Sequence, residues 1–185
     1  DYGRRRILHE HVKERVHRIV ARRVVRDTTP PTIAAHGDES AEATSAAGAA
    51  VNYTSPATSD AVDGPGVATC LPASGSTFPL GQTPVTCSAH DAAGNNAVDS
   101  FFDVFVVDTT PPVIAGHGNE TAEATSAAGA MVNYTNPATS DAVEGAGMAT
   151  CLPASGSTFP LGHTRVTCSA HDAAGNNAVD SFFDV

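Results

Sequence analysis

Ser88, His90 and Asp91 stand almost side by side, and Ser169, His171 and Asp172 repeat the set. A hydroxyl, an imidazole and a carboxylate are the groups of a hydrolytic triad. Their placement argues against one. Ser88 and His90 are two residues apart in a stretch with strand periodicity, and nothing near them resembles a nucleophile elbow or an oxyanion hole. The set also occurs twice, as a structural motif would. No catalytic residue is assigned. Asp60, Asp63, Asp91 and Asp99 offer a different chemistry. Gathered at a domain end, they could present carboxylate oxygens to calcium, a hard cation. No EF-hand or tandem calcium-repeat signature accompanies them. Asp91, in Asp91-Ala92-Ala93-Gly94-Asn95, has a simpler use as the cap of its own turn. No metal and no cofactor are assigned. Cys70 and Cys87 are separated by 16 residues, as are Cys151 and Cys168. That spacing matches no zinc site, and no Cys-x-x-Cys redox pair occurs.

The elements that carry these residues come in duplicate. Asp27-Thr28-Thr29-Pro30-Pro31 returns as Asp108-Thr109-Thr110-Pro111-Pro112, and residues 27–104 differ from 108–185 at 11 of 78 positions. The repeat is domain-sized rather than solenoid-sized. The two copies abut, since Val107 runs directly into Asp108. Two prolines at the joint fix φ and favour extended backbone, which suits a rod of beads. Within a repeat, Thr83, Val85, Cys87 and Ala89 alternate with Pro84, Thr86, Ser88 and His90, the period of a half-buried strand. Phe102, Val104 and Val106 share one face of a last strand expected from about Ala97 to Val107. Ala50–Thr54 and Val67–Leu71 read as shorter strands. Turns are expected at Asp63-Gly64-Pro65-Gly66, at Pro72–Ser76 and at Asp91–Asn95. Short strands with a turn about every ten residues predict an all-β sandwich or barrel.

Charge is divided unevenly. Nine of the ten Lys and Arg lie in residues 1–26 against three acids, so that segment carries +6; beyond it Arg165 alone faces 17 acids, giving −16. Leu8, Val12, Val16, Ile19 and Val20 recur at helical spacing, yet Val16, Val20 and Val24 also share a strand face, so the segment is a helix or a strand. Its basic charge suggests an acidic partner. Nucleic acid is a weak candidate, because aromatic stacking residues and a recognised nucleic-acid fold are missing. No apolar run is long enough for a membrane-spanning helix, and no signal-peptide pattern opens the chain. The core is thin: no Trp, seven Phe, three Tyr.

The runs Asn52-Tyr53-Thr54-Ser55-Pro56-Ala57-Thr58-Ser59-Asp60, Cys70-Leu71-Pro72-Ala73-Ser74-Gly75-Ser76-Thr77-Phe78-Pro79-Leu80-Gly81 and Val85-Thr86-Cys87-Ser88-Ala89-His90-Asp91-Ala92-Ala93-Gly94-Asn95 follow Asp-Thr-Thr-Pro-Pro in order. In this order and spacing, both copies resemble the hyalin repeat, or HYR, module. The resemblance implies two tandem immunoglobulin-like β-sandwiches, at 27–107 and 108–185, behind a basic segment at 1–26. It implies extracellular adhesive or matrix proteins and no catalytic activity. Family members often carry a second cysteine pair; here the matching positions, near Ala35 and Asp99, hold none. Within a repeat only one pairing is possible, so Cys70–Cys87 and Cys151–Cys168 are expected as disulfides, which imply an oxidising, extracellular setting. Asn52, Asn119 and Asn133 head N-x-Thr sequons, candidates for N-glycosylation on a eukaryotic-type secretory route.

The second repeat ends at Val185, which aligns with Val104, whereas the first continues through Phe105-Val106-Val107. Shifted by the repeat length, Val24-Val25-Arg26 aligns with those three residues. An assembly segment of Val16, Val20, Arg22, Arg23, Val24 and Val25 could therefore complete the second repeat of another copy by strand addition. Such a head-to-tail contact does not close and would build a filament of self-associated chains. The alternative expectations are a ligand-binding adhesion module and a basic-arm nucleic-acid binder.

Overall fold

The alternation around Val85 and Cys87 forms the strand it predicts. In the computed structural model, which describes residues 25–185, that strand runs Gly81–Ser88 with Val85 and Cys87 buried. Repeat 1 contains β1 (Thr32–Ile33), β2 (Glu39–Glu42), β3 (Ala49–Ala50), β4 (Ala57–Asp60), β5 (Gly64–Val67), β6 (Thr69–Leu71), β7 (Thr77–Phe78), β8 (Gly81–Ser88) and β9 (Ser100–Val107). Repeat 2 contains β10 (Val113–Ile114), β11 (Ala130–Val132), β12 (Ala138–Asp141), β13 (Gly145–Met148), β14 (Thr150–Leu152), β15 (Ser157–Phe159), β16 (Arg165–Ser169) and β17 (Ser181–Asp184). The described chain is all-β, as tandem β-sandwich domains require.

In repeat 1 one sheet has the order β1-β4-β5 and the other β2-β9-β8-β6, with a two-stranded β3-β7 ribbon beside them. The pairings are antiparallel except β2 on β9, which is parallel and sets Glu39–Glu42 against Val104–Val107. Repeat 2 repeats the first sheet as β10-β12-β13, the ribbon as β11-β15 and the second sheet as β14-β16-β17. Each repeat has its own core. Phe78, Val85, Cys87, Phe102, Val104 and Val106 anchor the first; Phe159, Val166, Cys168 and Phe183 anchor the second. Tyr53 is edge-on to Phe102 with centroids 5.0 Å apart, and its hydroxyl donates to the Pro72 carbonyl. That bond satisfies a polar group that burial would otherwise strand. Gly48 is required where it sits: its φ is +101°, and a Cβ there would meet the Phe78 carbonyl oxygen at 1.9 Å.

Several expected boundaries shift. Gly64–Val67 is a strand rather than a turn, and the turn lies at Ala61–Asp63. Pro65 is tolerated because β5 is at the edge of its sheet, where a missing N–H faces no partner. The stretch Val67–Leu71 is two strands: Ala68, buried, donates to the Pro56 carbonyl and carries the chain from β5 to β6. Residues 51–54 extend β3 without being a strand, since Val51 bonds to Ser76 and Gly75 of the neighbouring loop. The last strand starts at Ser100, because Ala97 is tied back to Ala89. Of the helix or strand expected in residues 7–26, the part up to residue 24, with Val16, Val20, Arg22, Arg23 and Val24, lies outside the described residues. Val25 is described and is 95% exposed.

Candidate functional site

Three segments distant in sequence meet at the leading end of each repeat. Asp27 precedes β1, Asp60 ends β4, and Asp91 opens the turn after β8. Each has a local reason for its place. The Asp27 Oδ1 accepts the Thr29 N–H at 3.1 Å, an Asx turn just ahead of two prolines. The Asp60 Oδ1 accepts the N–H groups of Val62 and Asp63 at 2.7 and 3.0 Å and closes the β4–β5 hairpin. The Asp91 carboxylate accepts the Asn95 N–H at 2.7 Å and its side-chain amide at 2.6 Å. Asn95 Nδ2 also reaches the Asp27 carbonyl at 3.4 Å, tying the three segments together. One carboxylate oxygen from each of Asp27, Asp60 and Asp91 falls within 4.8 Å of the others. The Asp27 and Asp60 Oδ2 atoms are buried, each exposing less than 1 Å², and have no hydrogen-bond partner.

Repeat 2 builds the same cage. Asp108 accepts Thr110 N–H at 3.3 Å, Asp141 accepts Val143 and Glu144 at 2.7 and 3.1 Å, and Asp172 holds Asn176. Asp108, Asp141 and Glu144 supply the clustered oxygens, and Oδ2 of Asp108 and of Asp141 is again buried and unpartnered. The charges respond. Burial, together with the carboxylates of Asp141, Asp172 and Glu42, pushes the Asp108 carboxyl above its ordinary range against the pull of the Thr110 N–H. A hydrogen bond shared with Asp141, and then burial, raises Glu144. Burial works to raise Asp91, but the bonds from Asn95 outweigh it and its pKa falls below the ordinary value.

The second cage lies at the joint between the repeats. Glu42, at the end of β2, crosses to the next repeat: its carboxylate accepts the Thr109 N–H, the Thr109 hydroxyl and the Thr110 hydroxyl, each at 2.8 Å. These bonds, led by the Thr109 N–H, lower the Glu42 pKa. Val143, in the turn between β12 and β13, packs against the core of repeat 1. Its counterpart Val62 is 69% exposed, so the joint accounts for the difference. Asp108, the first residue of the linker, thus stands between a latch on one side and a carboxylate cage on the other.

The family model of the HYR domain matches residues 26–106 and again residues 107–185. The chain belongs to the HYR domain family. Among its relatives, Hyalin of Strongylocentrotus purpuratus is 35% identical over 164 residues, which is 86% of this chain and 14% of that protein. Hyalin of Lytechinus variegatus is 37% identical over 108 residues, 56% of this chain and 20% of that protein. The chain therefore spans a small fraction of the length of these curated relatives.

In the HYR frame the other candidates fall into place. The Ser88, His90 and Asp91 groups form no relay: His90 Nδ1 meets the Asp91 main-chain oxygen at 3.1 Å, while the Asp91 carboxylate is taken by Asn95. Of the four aspartates singled out from sequence, Asp60 and Asp91 join the cage. Asp63 borders it and accepts the Ala92 N–H at 2.6 Å; Asp99 is not part of it. Sequence reasoning missed Asp27 and Asp108, though the repeated Asp-Thr-Thr-Pro-Pro was a signal for both, and it missed the Glu42 latch. Cys70–Cys87 and Cys151–Cys168 are disulfides, and no free cysteine is found among the described residues. Asn52, Asn119 and Asn133 are all exposed. Asn119 Oδ1 accepts the Asp184 N–H at 2.9 Å. Among the described residues no helix is long and apolar enough to cross a membrane.

Proposed function

We propose that the chain is a stretch of an extracellular structural or adhesive array in which successive HYR repeats are held at a fixed angle. The observation that carries this reading is the joint: three hydrogen bonds to Glu42 and the seating of Val143 on the preceding core oppose independent tumbling. Kinship with the hyalins and the paired cysteines support the extracellular part, since disulfides persist in oxidising compartments. Residual dipolar couplings test the geometry. One alignment tensor should fit both repeats of the parent chain. The variant Glu42→Ala/Val143→Ala should need two tensors while each repeat stays folded, because Glu42 is exposed and Val143 is only partly buried, outside the buried core of its own repeat, so neither change opens a cavity inside a repeat. Two different tensors in the parent would refute a fixed joint. Recovery of the protein from the cytosol with reduced cysteines would refute the extracellular part.

Head-to-tail assembly is a second reading, favoured by a groove of about 390 Å³ on repeat 2, lined in part by Ala122, Ala124, Phe159, Leu161 and Val185. In repeat 1, Phe105–Val107 of β9 pairs with β2 along the matching edge, and Val106 there is 1% exposed. The groove fits an extended apolar strand, either a continuation of the same chain or the Val24-Val25-Arg26 stretch of another copy. Deleting residues 1–26 separates the two. Sedimentation that shows oligomers of the parent chain and monomers of the truncated one supports donation by another copy; unchanged oligomers reject it.

A further inference from the structure

We propose that the parallel seating of β2 on β9 is a tension-bearing seam, which makes repeat 1 a module that resists being stretched from its ends. This role rests on the array reading above, since tension reaches a repeat through its neighbours in a chain. Every other strand pairing in repeat 1 is antiparallel. β2 is the first strand of the large sheet and β9 the last, and the order β2-β9-β8-β6 makes them neighbours. The chain therefore enters the sheet on one strand of the seam and leaves on the other. Tension pulls β2 toward its own start and β9 toward its own end. In a parallel pair those directions are opposite, so the strands must slide, and all the bonds between them bear the load together. In an antiparallel pair the two pulled ends would lie side by side, and the bonds would open one at a time. β1, ahead of β2, pairs with β4 at two positions and should give way first.

The seam extends beyond the strand register of Glu39–Glu42 on Val104–Val107. At its leading end Asp38 Oδ1 accepts the Asp103 N–H at 2.9 Å. At its trailing end Ala43 donates to the Val107 carbonyl at 2.7 Å. Donors alternate along a strand and are evenly spaced in a parallel pair, so the Ala43 bond puts the N–H groups of Ala41 and Glu39 on the same edge. The Glu42 latch then carries the contact past the end of β9, onto Thr109 and Thr110 of the linker. Tension arriving from repeat 2 thus meets the latch before it reaches β9. One side of the seam is dry: Val104 and Val106 are 0% and 1% exposed, and Ala41 packs against the same core. A shielded hydrogen bond has no water ready to replace it as it stretches. The Cys70–Cys87 bond joins β6 to β8 and leaves β2 free to slide. Repeat 2 supplies the contrast. Residues 120–123, the counterparts of β2, are not a strand. Among the described residues their tie to β17 is the Glu120 N–H on the Asp184 carbonyl at 2.9 Å, beside the Asp184 N–H on Asn119 Oδ1.

Single-molecule force spectroscopy of the full chain, held at its two ends with the disulfides oxidised, tests this. Two unfolding steps should appear. One should need at least about twice the force of the other, because repeat 1 shares its load over the whole seam and repeat 2 over two bonds. Ala41→Pro removes one of three evenly spaced donors of β2 and should lower the stronger step by roughly a third while the weaker step holds. Forced unfolding follows the unfolding barrier rather than the equilibrium, so force and melting should part. Phe78→Ala, on the β3-β7 ribbon and away from the seam, should lower the Tm of repeat 1 further than Ala41→Pro does, and its rupture force less. If Ala41→Pro does not fold, Glu42→Ala decides: the stronger force should fall while the Tm of repeat 1 moves by less than about 3 °C. Two equal steps in the parent, an unchanged strong step in a folded seam variant, or forces that rank the variants as Tm ranks them overturn the seam. Two alignment tensors together with the unequal steps would overturn the fixed joint and leave the seam standing.

Discussion

Phe78→Ala should destabilise repeat 1 by about 3–5 kcal/mol and leave repeat 2 nearly untouched. Phe78 has no exposed surface and sits on β7, a strand of two residues whose partner β3 is equally short. Little backbone pairing survives there if the ring is removed. The neighbours cannot refill the space. Gly48 is pressed against the Phe78 carbonyl, and Ala43, Ala49 and Ala68 are too small to reach inward. Domains of this size have roughly 4–12 kcal/mol in total, and this one has no Trp to spare. A loss of 3–5 kcal/mol is therefore a large fraction of the whole, equivalent to a fall in Tm on the order of 20 °C. The cores are separate clusters, so scanning calorimetry should show one transition moving and the other holding. Phe159→Ala should move the other. A shift shared equally by both transitions, or one under about 5 °C, would refute independent cores anchored by these rings.

What the sequence disclosed, and what it did not, follows from how far each feature reaches along the chain. The long strands were legible because Val85/Cys87 and Phe102/Val104/Val106 write their period in consecutive residues. The disulfides were legible because duplication left a single pairing within each repeat. The Gly64–Val67 strand was not, because glycine and proline signal turns locally and only the sheet order shows that β5 is an edge. The parallel seating of β2 on β9 was hidden for a related reason: Glu39-Ser40-Ala41-Glu42 has no apolar face to announce a strand, and its pairing comes from residues about 65 positions away. The cage was half legible. Asp60 and Asp91 drew notice as acids in turns, while Asp27 passed as part of a proline-rich linker; only the fold brings the three to one end. The Glu42 latch is a contact between repeats, and no pattern inside one repeat encodes it.

Removing one disulfide by Cys70→Ala/Cys87→Ala should cost repeat 1 about 3 kcal/mol in the chain-entropy account. The two cysteines face each other directly across β6 and β8, with a sequence separation of 17, so the bond constrains the unfolded chain while adding little order to strands already paired. Both cysteines are also core residues, 5% and 0% exposed. The exchange for alanines therefore loses packing as well as the crosslink, and 3 kcal/mol is the smaller bound. Burial has a kinetic consequence. A thiolate must reach sulfur to reduce it, and here the sulfurs become accessible only when the repeat opens. The native chain should resist a millimolar dithiol for as long as it stays folded, then lose both bonds within minutes once urea approaches its midpoint. Alkylation followed by intact mass reads this directly, since each broken bond adds two labels. Full labelling in native buffer within minutes would contradict the buried placement. An unchanged urea midpoint in the Cys70→Ala/Cys87→Ala variant would contradict the stabilisation. The expected result would also support the oxidising setting proposed for the protein. A repeat so thinly cored, deprived of its crosslink, has little stability left, and a reducing compartment would trap every opening as a reduced chain.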